Sequence, residues 1–178
     1  MTVAAADFLP QGEFLFPWFT PKQNYNAWLG RKVGLAIDGP DLARAETLEI
    51  DALLDRRFSD LSGGERQRVA LWTALSREID LLIIDEPFTA LDIERKSACL
   101  EVLAAALSSG LKALIFVSHD YDVLTYLANR ILLLNGNNKR QIREFEFPGN
   151  LPSNISEYLE RRASNQYASL LQALTGEN

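Results

Sequence analysis

Ser62-Gly63-Gly64 stands just ahead of the apolar stretch Val69–Leu75, where a helix is expected to open. Two glycines there let the backbone come close to a ligand. The free N–H groups and partial positive charge of a helix N-terminus attract anions. Ser62 adds a hydroxyl. Taken alone, the same residues also suit an N-cap followed by two flexible positions, a common arrangement. Asp85-Glu86 closes the apolar run Leu81–Ile84. A buried strand ending in two acids delivers carboxylates to the carboxyl edge of a sheet, where open α/β folds bind ligands. One acid can hold Mg²⁺, which takes oxygen ligands and keeps several waters. The next can orient or deprotonate a water. Taken alone, the pair also suits a core strand with a solvated acidic end. Ser118-His119-Asp120 follows a second apolar run, Leu111–Val117, and His119 is the one histidine of the chain. A lone histidine is more often structural than catalytic. Its place at the same expected sheet edge as Asp85 and Glu86 favours function.

These residues need elements to hold them. Thr20-Pro21 reads as an N-cap and first helical position, with Gly30 as the stop. Asp41 is expected to cap a helix to about Leu54, and Ser62 one running to about Glu78. The apolar interior of the latter marks it as well buried. Leu81–Ile84 and Lys112–Val117 are expected as strands covered on both faces, and Val3–Leu9 as a weaker strand. Asp92 caps a long helix that Gly110 ends. A short helix comes next, over Tyr121–Ala128. Arg130–Leu134 and Gln141–Phe147 read as a hairpin around Asn135-Gly136-Asn137-Asn138. Ser153–Leu174 reads as a helical tail, broken near Ser164-Asn165. Strands alternating with helices give an α/β fold with a mostly parallel sheet.

The chain has 178 residues, 47% hydrophobic and 24% charged, so most of it can fold around a core. Its net charge of -6 argues against a chain whose main work is gripping nucleic acid. The single cysteine, Cys99, excludes an internal disulfide and suits a reducing compartment. No apolar run approaches the roughly 20 residues of a membrane span, and Met1–Pro10 lacks the features of a signal peptide. These points predict a soluble, cytosolic chain.

The motifs together resemble the ABC-type ATPases, a branch of the P-loop NTPases. Leu61–Leu71 resembles their signature motif. Leu81–Glu86 resembles the Walker B strand with its catalytic glutamate. Thr89-Ala90-Leu91-Asp92 resembles the D-loop, and His119 the switch histidine. Pro10-Gln11 with Leu15–Thr20 resembles the Q-loop and the segment after it. The resemblance covers about residues 8–147. It implies ATP and Mg²⁺ as ligands. Ser62, Gly63 and Gly64 would contact the γ-phosphate of a nucleotide held mainly by an opposite subunit, and Asp92 would reach across that interface. Asp85 would hold Mg²⁺ through water, Glu86 would be the general base and His119 would touch the γ-phosphate. Gln11 would link Mg²⁺ and the attacking water to a helical subdomain at about 12–78. Residues 1–150 would be a partial ATPase domain and 151–178 a helical tail.

One part of the family pattern is missing. The phosphate loop G-x-x-x-x-G-K-[ST] cradles the β and γ phosphates, yet none of the ten glycines precedes a lysine. The family places that loop ahead of Gln11, so the chain reads as a domain lacking its N-terminal part. An internal start at Met1 accounts for the missing loop and the intact later motifs together. Loss of the phosphate-loop strand is expected to leave a sheet edge and apolar surface uncovered. Trp72-Thr73 also departs from the small residue and arginine usual there.

The resemblance implies an importer subunit, inactive alone, that couples ATP hydrolysis in a dimer to solute transport. Its membrane permease would dock on the region Phe14–Trp28. It would sit in the cytoplasm, peripheral on the inner face of the cell membrane. Short stretches look most like importers of nitrate, sulfonate and taurine. Two alternatives stand beside this. One is a scaffold or regulatory remnant, which the retained Ser62, Asp85, Glu86 and His119 disfavour. The other is a nucleic-acid-associated ATPase, which the acidic charge and lack of heptads disfavour.

Overall fold

The apolar runs become three short strands, β1 (Ala6–Leu9), β2 (Leu81–Asp85) and β3 (Ala113–Val117). They form one parallel sheet in the order β1-β2-β3. The computed structural model describes residues 5–11, 14–32, 35–134, 142–147 and 164–175. Leu9 lies opposite Ile84, Ile84 opposite Phe116 and Asp85 opposite Val117. The central strand therefore carries Asp85 to the carboxyl edge.

Four helices belong with this sheet: α1 (Pro21–Trp28), α2 (Gly39–Thr47), α3 (Gly63–Ala74) and α4 (Ile93–Ser109). Their starts reflect side-chain chemistry. Thr20 and Gln23 form a capping box at α1, Ser62 and Glu65 form another at α3, and the Asp92 carboxylate accepts the Arg95 N–H at α4. Each box satisfies two backbone donors that the first helical turn would otherwise leave open.

The chain divides into two compact units, Met1–Ser118 and His119–Asn178. The second contains α5 (Tyr121–Leu127), the antiparallel pair β4 (Arg130–Leu134) and β5 (Ile142–Glu146), and α6 (Asn165–Thr175). Its core is Ile131, Phe147, Tyr167 and Leu170. The expected hairpin connection and the first part of the expected tail lie outside the described residues.

Three bounds of two expected helices shift. The second helix begins at Gly39 and ends at Thr47, not at Asp41 and Leu54. Asp38 takes the N-cap position and Pro40 fits the first turn. Glu49, at φ 53, then turns the chain out of the helix, and the Ile50 N–H closes onto the Ala45 carbonyl. The third helix stops at Ala74, four residues short of Glu78, and the Ser76 hydroxyl there donates to the Thr73 carbonyl.

The strands also differ from expectation: among the described residues the sheet is fully covered on one face only. Leu9, Leu82 and Ile84 are buried, while Phe8, Ile115 and Val117 on the other face are 53%, 53% and 56% exposed. Continuous apolar runs come from sheets covered twice, and the described residues supply one cover. The expected uncovered apolar surface is therefore present.

Trp72, the departure at the signature helix, is a packing centre. Its ring stacks on Tyr25 at 4.5 Å, and its indole N–H donates to the Asp41 carbonyl at 2.8 Å. The Tyr25 hydroxyl donates to the Asp41 carboxylate, which also takes Arg44 at 2.8 Å. Burial first, and then the Asp41 carboxylate, push the Tyr25 phenol up to about 12. Thr73, where the family has arginine, is buried and bonds back to the Val69 carbonyl at 2.8 Å. One stacked pair thus ties α1, α2 and α3 together.

Candidate functional site

Parallel pairing puts three expected site residues at one edge. Gln11 is exposed, two residues past the end of β1. Asp85 is the last residue of β2 and is half-buried. Glu86 comes next, 8% exposed and at φ 49. A side-chain-bearing residue pays about 1–2 kcal/mol for that left-handed conformation. The Glu86 N–H donates to the Val117 carbonyl at 3.0 Å, which extends the β2–β3 ladder by one bond and pins the turn. Glu86 is thereby held facing away from the direction a continued strand would give it.

The helix entrance at Ser62 is built from the capping box. The Ser62 hydroxyl accepts the Glu65 N–H at 3.3 Å, and the Glu65 carboxylate accepts the Ser62 N–H at 2.7 Å. That backbone bond, and then the Ser62 hydroxyl, hold the Glu65 carboxyl below the usual range. Gly63 and Gly64 occupy the first two helical positions, whose N–H groups have no partner within a helix. A Cβ on Gly64 would lie 2.9 Å from the Ala90 carbonyl oxygen and 3.1 Å from Leu91 Cδ2. On Gly63 the nearest atom would be the Ala90 Cβ, at 3.7 Å. Gly64 is therefore required by the close approach of α3 to the segment after β2, and Gly63 is not.

Asp92 caps α4 and is engaged by Arg95 of the same helix, whose N–H bond lowers its carboxyl. Arg95 also approaches Glu49 at 3.8 Å, and Glu49 takes the buried Arg68 at 3.4 Å. His119, exposed, is the first residue of the second unit. The structure thus brings Gln11, Asp85 and Glu86 to one edge, and Ser62–Gly64 against the segment leading to Asp92.

Sequence reasoning overlooked Glu65 and Gln67. The Ser62-x-x-Glu65 spacing is a capping-box signal that could have found the first. Gln67 has no such signal, because its partners lie 22 and 23 residues away.

Among the described residues no group of three or more His, Cys, Asp and Glu side chains could hold a metal, and no helix is long and apolar enough to cross a membrane. A cavity of about 650 Å³ lies at the amino ends of the strands, beside Ala5, Asp80 and Leu111, away from the acid pair.

The family described as "ABC transporter" matches residues 4–89. An aliphatic sulfonates import ATP-binding protein of Bacillus thuringiensis is 32% identical over 164 residues, covering 90% of this chain and 65% of that protein. A molybdenum import ATP-binding protein of Rhizobium meliloti is 40% identical over 123 residues, 67% of this chain and 34% of that one. A solved dimeric ATP-binding cassette in a post-hydrolysis state, bound to ADP and Pi, aligns with TM-score 0.64 and 27% identity over 82% of this chain and 64% of that one. The chain spans less than two thirds of the length of each.

Proposed function

The chain belongs to the ABC transporter ATPase family, and we propose that it works as the ATP-hydrolysing subunit of an importer of a small solute. The observation that carries this is the acid pair. Asp85 ends the central strand, and Glu86 is turned out of the strand and locked by Val117. In this reading Glu86 orients and deprotonates the attacking water, and Gln11 lies at the same edge to hold that water. His119 supports the γ-phosphate. Ser62, Gly63 and Gly64 present a hydroxyl and open N–H groups to the γ-phosphate of a nucleotide on a second subunit. Asp92 reaches across that interface.

Mg²⁺ suits the donor set. It binds through one or two carboxylates while keeping waters and phosphate oxygens, so Asp85, with Gln11 at the same sheet edge, would be enough without a three-ligand cluster. When bound, the ion neutralises charge developing on the phosphate oxygens.

The membrane permease would dock on Phe14–Trp28. Trp18 is 67% exposed, and Phe16 beside it is braced by both ends of the buried Asn24 amide. A rigid loop offering aromatic surface suits a partner helix. Sulfonates are the solute class named for the relative that aligns over 164 residues. Residues 1–150 serve as the ATPase part, 12–78 as its helical subdomain and 151–178 as a tail. The protein lies in the cytoplasm, against the inner face of the membrane.

The test is Mg-ATP hydrolysis by the native protein and by Glu86→Gln. A rate that drops at least about a hundredfold with nucleotide binding retained supports the reading. An unchanged rate refutes it. The 178-residue polypeptide alone, having no Gly-Lys phosphate loop, is expected to show neither tight ATP binding nor turnover. Hydrolysis by that polypeptide would overturn this part.

A further inference from the structure

Gln67 lies one turn into α3, and its side-chain amide reaches the segment after β2. Its Nε2 donates to the Thr89 hydroxyl at 3.2 Å, and its Oε1 accepts the Ala90 N–H at 3.3 Å. Gly64, one turn earlier, lets the helix sit against the Ala90 carbonyl and Leu91 at distances no side chain would allow. These are two independent contacts between the same two segments, one polar and one steric. One segment starts at Ser62 and the other ends at Asp92. Thr89 and Ala90 are exposed, so apolar packing does not hold them there.

We infer that Gln67 is a positioning residue, whose amide clamps the Ser62–Gly64 helix entrance to the Thr89–Ala90 loop so that the two move as one body. This rests on the proposed ATPase function insofar as the clamp affects turnover. With the clamp closed, a phosphate meeting the N–H groups of Gly63 and Gly64 also fixes the loop that carries Asp92. With it open, the entrance and the loop are placed separately. Substrate first bound elsewhere would then be held as before and converted more slowly.

The test uses the native protein with two readouts. Gln67→Ala is expected to raise amide exchange at Ala90 about fivefold, the worth of one net hydrogen bond, with exchange in β2 unchanged. In Mg-ATP hydrolysis kcat falls about fivefold while KM stays within about twofold. Gln67→Glu, whose carboxylate can accept from both the Ala90 N–H and the Thr89 hydroxyl, restores the protection. Exchange that does not change in Gln67→Ala overturns the clamp. Faster exchange with kcat unchanged overturns the positioning role. If the unsubstituted protein does not hydrolyse Mg-ATP, the proposed function fails, and the exchange readout, which needs no nucleotide, still decides the clamp.

Discussion

Adding one methyl group at position 63 and at position 64 in turn should produce opposite results, although both residues are glycine at the start of one helix. At Gly64 the new Cβ would stand 2.9 Å from the Ala90 carbonyl oxygen and 3.1 Å from Leu91 Cδ2. Carbon contacts are comfortable near about 3.5 Å, so helix and loop must separate by roughly 0.5 Å. Leu91 can turn a methyl aside, but the Ala90 carbonyl is backbone. Overpacking of this kind costs about 1–3 kcal/mol. Alanine recovers about 0.5–1 kcal/mol through its helix preference, and less at the first turn. The net expectation for Gly64→Ala is a loss of about 1 kcal/mol. At Gly63 the nearest atom would be 3.7 Å away, an ordinary contact. Gly63→Ala should therefore be neutral, or stabilising by about 0.5 kcal/mol. Urea unfolding measures both, with the m-value expected to stay constant. The comparison is sharper than either value, since helix preference nearly cancels between adjacent positions. Gly64→Ala proving as stable as Gly63→Ala would refute the close approach of α3 to the Ala90–Leu91 segment.

Three further outcomes rest on the packing. Trp72→Ala should cost about 3–5 kcal/mol in the same urea experiment, and Trp72→Phe, which keeps a ring but not the N–H to the Asp41 carbonyl, about 1–2 kcal/mol. Tyr25 is raised to about 12 in the fold, against about 10 when unfolded. The folded state therefore keeps a proton that the unfolded state loses. This contribution is complete below about pH 10 and is lost as pH rises towards about 12, and Tyr25→Phe should flatten that part of the stability–pH curve. Cys99 is buried, and burial pushes its thiol up to about 12. A thiol reagent should label it only as the protein unfolds, and fast labelling in native buffer would contradict that.

Three of the helix starts were legible because they depend on neighbouring residues, whereas that of α2 was placed at Asp41 instead of Asp38. Thr20, Ser62 and Asp92 each bond within three positions, so spacing alone exposes them. The carboxyl-edge position of Asp85 and Glu86 was legible for a similar reason: an apolar run ending in acids fixes which end of the strand they occupy. What stayed hidden depends on distant residues. The role of Trp72 needs Tyr25 and Asp41, brought from two other helices. Glycine at 64 reads from sequence as freedom near a ligand, and the structure adds a second reason in Ala90. Strand cover was misjudged because composition reports that a strand prefers two covered faces, not which neighbours provide them. The Glu86 turn was out of reach as well, since glutamate has no local preference for positive φ and is held by Val117, 31 positions on.

The open sheet face and the acid edge are parts of one surface. Side chains alternate along a strand, so Leu81, Ile83 and Asp85, each half-buried, lie on the face of the sheet that carries the exposed Phe8, Ile115 and Val117. Phe8, Ile83 and Ile115 form one row across that face, and the next row brings Asp85 beside Val117. Anything that buries the exposed rings and methyl groups must therefore also arrive next to the Asp85 carboxylate. Burying apolar area supplies the driving force, and excluding water lowers the local dielectric around the carboxylate. A lone acid would resist that change, whereas an acid facing a divalent cation gains from it, because the attraction strengthens as the dielectric falls. The same strand alternation that leaves Phe8, Ile115 and Val117 exposed thus puts Asp85 on their face of the sheet.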